Sequence, residues 1–295
     1  MNEIVVLSGK GGTGKTSITA SLAVLAGREA IIADCDVDAA NMHLLLQPDF
    51  GRRIDFFSGE LAVINPDLCT ACGKCAAICR FNAISILDNQ YHISPLDCEG
   101  CGYCARICHP VAISMRQRKS GSLFISKIRT GSSMVHARLD IGAENSGKLV
   151  ARVKNEAKSI AASENKRYIL VDGSPGIGCP VVSSLAGANY VILVTEPSQS
   201  GLNDLRRVFA VISKFRIKAG CIINKSDLNK GIASGIRVFL KEMGIDHLAD
   251  IPYDNSFTRS MIEGRTIAEI QSPLKDTIEV VWTRVQGLLN SNAEI

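Results

Sequence analysis

Two sets of residues in this chain are spaced for chemistry. Gly9-Lys10-Gly11-Gly12-Thr13-Gly14-Lys15-Thr16 fits the pattern G-x4-G-K-[ST] between an apolar run and a helical pattern. In that context glycines let backbone N–H groups converge on phosphate, and the helix N-terminus adds a favourable dipole. Lys15 is then placed to neutralise the β and γ oxygens of a triphosphate and Thr16 to hold Mg²⁺. The second set is sulfur. Of eleven cysteines, eight fall in Cys69-x2-Cys72-x2-Cys75-x3-Cys79 and Cys98-x2-Cys101-x2-Cys104-x3-Cys108. In a cytosolic chain, where disulfides are rare, such dense and regular cysteines point to metal.

The cysteine spacing is that of bacterial ferredoxins, which hold two [4Fe–4S] clusters. Three thiolates spaced in this way wrap one cluster and the fourth reaches the other. The expected ligands are therefore Cys69, Cys72, Cys75 and Cys108 for one cluster, and Cys98, Cys101, Cys104 and Cys79 for the second. Where a proline normally follows the fourth cysteine, this chain has Arg80-Phe81 and His109-Pro110, a slight relaxation of the pattern. Paired structural zinc sites fit less well, because their ligand pairs are usually set farther apart. The region is an internal duplication. Ile64 to Cys69 and Ile93 to Cys98 open the two copies, each closes on Ala-Ile-Ser, and the copies are offset by 29 positions.

The elements that must position these residues follow from periodicity. Short β-branched runs at 4–7, 30–33, 168–171, 190–194, 219–223 and 247–249 alternate with helical patterns at 14–26, 148–163, 202–215, 233–243 and 274–289. That is the signature of a doubly wound, mostly parallel α/β sheet. The alternation breaks in the cysteine region, so the expected organisation is a P-loop domain over 1–58 and 117–295 with a small α+β ferredoxin-like domain inserted at 59–116. Residues 123–128 and 134–139 flank Arg129-Thr130-Gly131-Ser132-Ser133 as a hairpin that returns the chain to the main fold. The amphipathic stretch 274–289 reads as a helix docked on the core.

The lysine early in the loop carries a resemblance. Lys10-Gly11-Gly12-Thr13-Gly14-Lys15-Thr16 resembles the deviant Walker A motif of the MinD/ParA/nitrogenase-iron-protein superfamily. The resemblance implies that Lys10 reaches across a nucleotide-sandwich dimer to the partner's phosphates. It implies a nucleotide-binding set of Gly11, Gly12, Thr13, Gly14, Lys15, Thr16 and Ser17. Asp34-Cys35-Asp36-Val37-Asp38 matches the switch I region, which makes Asp36 the residue that organises the Mg²⁺ shell and the attacking water. Tyr168 to Asp172 has the Walker B pattern, with Asp172 holding Mg²⁺ through water and a switch II loop after it. Asn224 falls where the family recognises the base. Asn224-Lys225-Ser226-Asp227 also has the guanine-reading pattern of GTPases, and the resemblance favours ATP. Cys179 stands at the offset from Asp172 at which the nitrogenase iron protein ligates a subunit-bridging cluster; a helix-cap cysteine is the plainer alternative. Over nearly its whole length the chain resembles the subgroup of that superfamily that carries an inserted ferredoxin domain; Gly142 to Lys148 also resembles that subgroup and carries no assigned role.

Composition narrows the function classes. With 46% hydrophobic residues in 295, the chain can bury one large core and a small module. A net charge of +4, without long blocks of one sign, gives no case for nucleic-acid binding. The N-terminal apolar run lacks a charged leader, and no apolar stretch reaches the roughly 20 residues of a membrane span, which implies a cytoplasmic protein. The reading that follows is an ATPase in which nucleotide-driven dimer closure couples to electron transfer through two [4Fe–4S] clusters. Two alternatives stand beside it: an iron–sulfur carrier or assembly ATPase, and a MinD-like positioning ATPase with structural or sensory clusters. The implied partners are a second copy or a related ATPase, and a redox or iron–sulfur acceptor protein.

Overall fold

The computed structural model describes residues 1–38, 40–143 and 146–291. Two of the seven residues in the stretch 142–148, Glu144 and Asn145, and the end of the chain from 292 lie outside the described residues. Two compact units make up the chain, one of 1–54, 123–138 and 146–295, the other of 55–122 and 139–145.

The first unit opens with β1 (Asn2–Leu7), the phosphate-loop segment, α1 (Lys15–Ala26), β2 (Ala30–Asp34) and α2 (Met42–Leu46). The chain leaves it along β3 (Arg52–Ile64) and passes through α3 (Lys74–Ile78), β4 (Ile84–Leu87), β5 (Gln90–Ile93) and α4 (Tyr103–Arg106). It returns along β6 (Ile113–Lys127) and β7 (Ser133–Leu139), then α5 (Ser146–Ser163), β8 (Tyr168–Asp172), α6 (Cys179–Leu185) and β9 (Tyr190–Thr195). The chain ends through α7 (Gln199–Lys214), β10 (Lys218–Asn224), α8 (Lys230–Glu242), β11 (Asp246–Ile251), α9 (Ser256–Ile262) and α10 (Pro273–Asn290).

Strands β11-β10-β9-β1-β8-β2-β7-β6-β3 form one sheet in that order. Its first seven strands pair in parallel, from β11 through to β7. Because β1 has the later strand β8 on one side and β9 on the other, the chain order reverses beside it, and ligands of such sheets bind at the carboxyl ends there. Strands β1, β2, β8 and β9 are buried along nearly their whole length, which is why they read as continuous apolar runs. Leu274, Ile278, Val281, Trp282, Val285 and Leu289 of α10 lie in the same core as Ile18 and Leu22 of α1, so this terminal helix packs on the body.

The return hairpin differs from its sequence reading in one respect. The turn closes with Ile128 N donating to Ser132 O at 3.0 Å, but β6 begins at Ile113, not near Leu123. Its early residues alternate poorly in hydrophobicity because Arg116, Gln117, Arg118 and Lys119 crowd them, which hides a strand from period-2 reasoning. Strand β3 escapes the sequence reading for the same reason, with Arg52, Arg53, Asp55 and Glu60 spread along it.

In the second unit the duplication shows as paired geometry. Asn65 N donates to Ala112 O at 2.7 Å and Ser94 N donates to Ala83 O at 2.8 Å, so each copy opens by bonding to the close of the other. Gly73 and Gly102, both with positive φ, cap α3 and α4 at equivalent places in the two copies. Asn82 and Val111, also equivalent, share φ near +52° and +54°.

Candidate functional site

The glycine loop joins β1 to α1. Gly12 and Gly14 adopt φ of 79° and 92°, a region that suits glycine. A Cβ on Gly14 would lie 2.4 Å from Asn224 Nδ2, and that amide donates to Thr13 O at 2.7 Å. Asn224 therefore braces the loop from the end of β10. Lys225 adds a second brace, with Nζ donating to Gly12 O at 3.2 Å.

Below the loop, charged groups from three strand ends meet. Lys15 is buried, and its Nζ lies 2.9 Å from Asp172 Oδ1 and 3.5 Å from Asp36 Oδ2. Burial works against its charge, but Asp172, Asp36 and Asp34 outweigh that and hold its pKa above the usual value. Thr16 Oγ1 donates to Asp172 Oδ2 at 2.7 Å, and Thr19 Oγ1 donates to Asp172 Oδ1 at 2.9 Å. Asp34 is fully buried; its Oδ1 accepts from Asp36 N at 3.2 Å, while its Oδ2 has no hydrogen-bond partner. Burial first, and then the charge of Asp172, push the Asp34 carboxyl up to about 8. Burial also raises Asp36, partly offset by Lys15. Three carboxyl groups thus face one ammonium. Hard oxygen donors with an orphaned buried oxygen among them fit a divalent cation such as Mg²⁺.

The loop after β8 is tied to the same strand ends. Gly173 N donates to Val6 O at 3.0 Å, Gly176 N to Ser8 O at 2.9 Å, and Ser174 Oγ to Cys35 O at 2.8 Å. Movement of this loop would be felt at both β1 and β2.

Residues 4–267 match the family described as the CobQ/CobB/MinD/ParA nucleotide binding domain. The chain belongs to that family. An uncharacterised protein of Methanocaldococcus jannaschii is 31% identical over 289 residues, covering 97% of both chains. The chloroplastic septum site-determining protein MinD homologue of Arabidopsis thaliana is 25% identical, over 88% of this chain and 67% of that protein. Among solved structures, the septum site-determining protein MinD of Pyrococcus horikoshii, complexed with Mg-ADP, superposes with a TM-score of 0.61 at 21% identity. It covers 100% of this chain and 99% of its own. The mostly parallel central sheet is the fold of such MinD/ParA-type domains.

Other residues named from the sequence fall in different surroundings. Lys10 points to its own chain, its Nζ 2.7 Å from Glu196 Oε1. Ser17 turns its hydroxyl toward Met261 Sδ at 3.7 Å, and Gly11 has open space where a side chain would stand. Asp38 is exposed, and Cys35 and Cys221 are fully buried. Cys179 is exposed as the first residue of α6. Asp227 is engaged structurally, its Oδ1 accepting from Tyr253 N at 2.7 Å. Thr19, Asp34, Glu196 and Lys225 are members of this charged neighbourhood that motif reading left without a role. For Thr19 the available signal was its helical spacing after Lys15 in α1.

The eight clustered cysteines line two cavities of the second unit. Cys69, Cys72, Cys75 and Cys108 share one with Ile64, Tyr91 and Ile113. Cys79, Cys98, Cys101 and Cys104 share the other with Ile78, Phe81 and Tyr103. None of the eight is in a disulfide. Among the described residues, no three His, Cys, Asp or Glu side chains gather closely enough to hold a single metal ion. A [4Fe–4S] cube asks for a wider arrangement, since each thiolate bonds a different iron. Four soft sulfur donors around an apolar cavity have the chemistry that such a cube takes.

Proposed function

We propose that this chain is an ATP-hydrolysing switch that dimerises around bound nucleotide, and that its second unit carries two [4Fe–4S] clusters in crossed cysteine sets. The ATPase reading is carried by one constellation: Lys15, Thr16, Asp36 and Asp172 gathered beneath a glycine loop. Family membership and the Mg-ADP of the Pyrococcus relative support ATP as the nucleotide and Mg²⁺ as the ion. In this reading Lys15 exchanges Asp172 for the β and γ oxygens. Thr16 and Asp172 then serve the ion, Asp36 orients the attacking water, and Lys10 serves the phosphates of the opposite protomer. Asn224 holds the loop and borders the base. Hydrolysis releases the loop after Asp172, whose bonds to Val6, Ser8 and Cys35 pass the change to the strand ends.

The cluster reading rests on a separate observation, the partition of eight cysteines into two cavities with the fourth member of each run exchanged. Clusters of this type supply one-electron transfer when bound. Tight ligand spacing favours retained clusters over transferable ones, hence electron transfer or sensing over delivery. The MinD-type relatives favour a positioning or switching ATPase as the body of the machine, with the clusters as its redox input or output.

The test is a pair of measurements on anaerobically purified protein: iron and sulfide content, and ATPase rate with the protein oxidised and reduced. Absence of iron removes the cluster reading and leaves the switch standing. An ATPase rate indifferent to redox state assigns the clusters a structural role.

A further inference from the structure

Lys10 is fully satisfied within its own chain. Its Nζ lies 2.7 Å from Glu196 Oε1, 2.9 Å from Ser200 Oγ and 3.2 Å from Ser198 Oγ. An ammonium has three donors and no acceptor, so three oxygens consume its hydrogen-bonding capacity. Contact with any phosphate outside the chain requires at least one of these bonds to be given up.

The place is otherwise poor for a cation. Ser198 caps α7, accepting from Gly201 N at 3.0 Å, and the N-terminus of that helix carries the positive end of its dipole. The Glu196 carboxylate offsets this. It is itself fixed: Oε2 pairs with Lys225 Nζ at 3.0 Å, and a Cβ on Gly201 would stand only 2.3 Å from Glu196 O. Although burial opposes its ionisation, its bonds to Lys10 and Lys225 hold the carboxyl below the usual range, so it is anionic at neutral pH.

We propose that Glu196, with Ser198 and Ser200, is a positioning latch that keeps Lys10 in its own chain and so sets the nucleotide concentration at which the dimer closes. This rests on the reading of Lys10 as the residue that acts across the dimer. A triphosphate on a second copy carries more charge than one carboxylate and draws the lysine away, because charge-assisted bonds to phosphate are the stronger ones. In the free protomer the latch suppresses closure; in the dimer its bond has been exchanged for one to phosphate.

The experiment compares the parent, Glu196→Gln, Ser200→Ala and Lys10→Ala. It reads ATP-dependent dimerisation by sedimentation velocity, ATP affinity of the protomer by calorimetry, and Lys10 reactivity toward an amine-acylating reagent by mass spectrometry. The dimerisation midpoint in ATP should fall about two- to fivefold in Glu196→Gln and about twofold in Ser200→Ala, the range expected for part-exposed charged contacts. Ser200 touches only the latch, so Ser200→Ala should keep the parent's protomer affinity while Lys10 acylates faster. Unchanged midpoints and unchanged Lys10 reactivity in both variants overturn the latch. If Lys10→Ala still abolishes dimerisation in that case, the action of Lys10 across the dimer survives without it; if Lys10→Ala dimerises like the parent, both fall together.

Discussion

Asp34 stands directly opposite Asp172 in the parallel register of β2 and β8, at the carboxyl ends of both strands. Two buried carboxyl groups so placed cannot both ionise without cost, and Lys15 only partly relieves it. A site that binds a cation or a cation–nucleotide pair is a natural place for such a cost.

That relationship gives a pH dependence. The Asp34 carboxyl is pushed up to about 8, against about 3.9 in an unfolded chain. Between those values the folded protein holds a proton that the unfolded chain has lost, so its stability falls as pH rises through the window. Calorimetry of the nucleotide-free protein should show Tm decreasing from pH 5 to pH 8. Asp34→Asn should flatten that slope and raise Tm at pH 8. A parallel slope in the variant would mean that Asp34 is ionised throughout.

Lys15→Ala removes the cation that faces three carboxyl groups and, in the proposed mechanism, the β,γ-phosphate contact. ATP affinity should drop by roughly 100-fold or more, the weight of a desolvated charge-assisted contact of about 3 kcal/mol. Tm at pH 8 should fall more than at pH 5, since without Lys15 the Asp34 carboxyl is pushed still higher and the folded chain must hold at pH 8 a proton that the unfolded chain has lost. Titration with a fluorescent ATP analogue and paired melts check both.

Cys79→Ser and Cys108→Ser test the crossing. If the fourth cysteine of each run serves the other set, Cys79→Ser should lose about half the iron while thiolate accessibility stays low at Cys69, Cys72 and Cys75. Iron analysis and alkylation mass spectrometry read this directly. Exposure of Cys69, Cys72 and Cys75 in that variant would indicate uncrossed sets.

Stability of the first unit depends on a buried ion pair distant from the loop. Lys154 Nζ lies 2.6 Å from Glu3 Oε1 and also donates to the carbonyls of Ser183, Ser184 and Ala186 at the end of α6. Lys154→Ala leaves four acceptors without this donor and should cost about 3 kcal/mol, as breaking a buried pair from one side does. Chemical denaturation measures it. The double variant Glu3→Gln/Lys154→Met should recover part of the loss, because neither buried charge of the pair is left alone and Lys158, the other partner of Glu3 at 2.9 Å, is part-exposed and can be solvated.

Some of this was legible residue by residue. The glycine loop, the Walker-type aspartate at the end of an apolar run and the cysteine spacings are local signals, set by a few adjacent residues whose backbone and side-chain chemistry fixes their geometry. Periodicity likewise placed the buried strands β1, β2, β8 and β9, because a strand covered on both faces must be apolar throughout. Long polar strands were not legible. In β3 and β6 charged residues are spread along the strand, so no alternation marks their length.

The meetings of residues far apart in the chain depend on how the strands are ordered in the folded sheet. Asp34 faces Asp172 because β2 lies beside β8, a pairing across more than a hundred residues that no local pattern encodes. Asn224 and Lys225 brace the glycine loop, and Glu196 captures Lys10, because β9 ends beside β1 and β10 ends beside β9. The chain's own chemistry named the tools; the sheet order determined which charges would be forced together, since burial turns a distant coincidence in space into a strong electrostatic coupling.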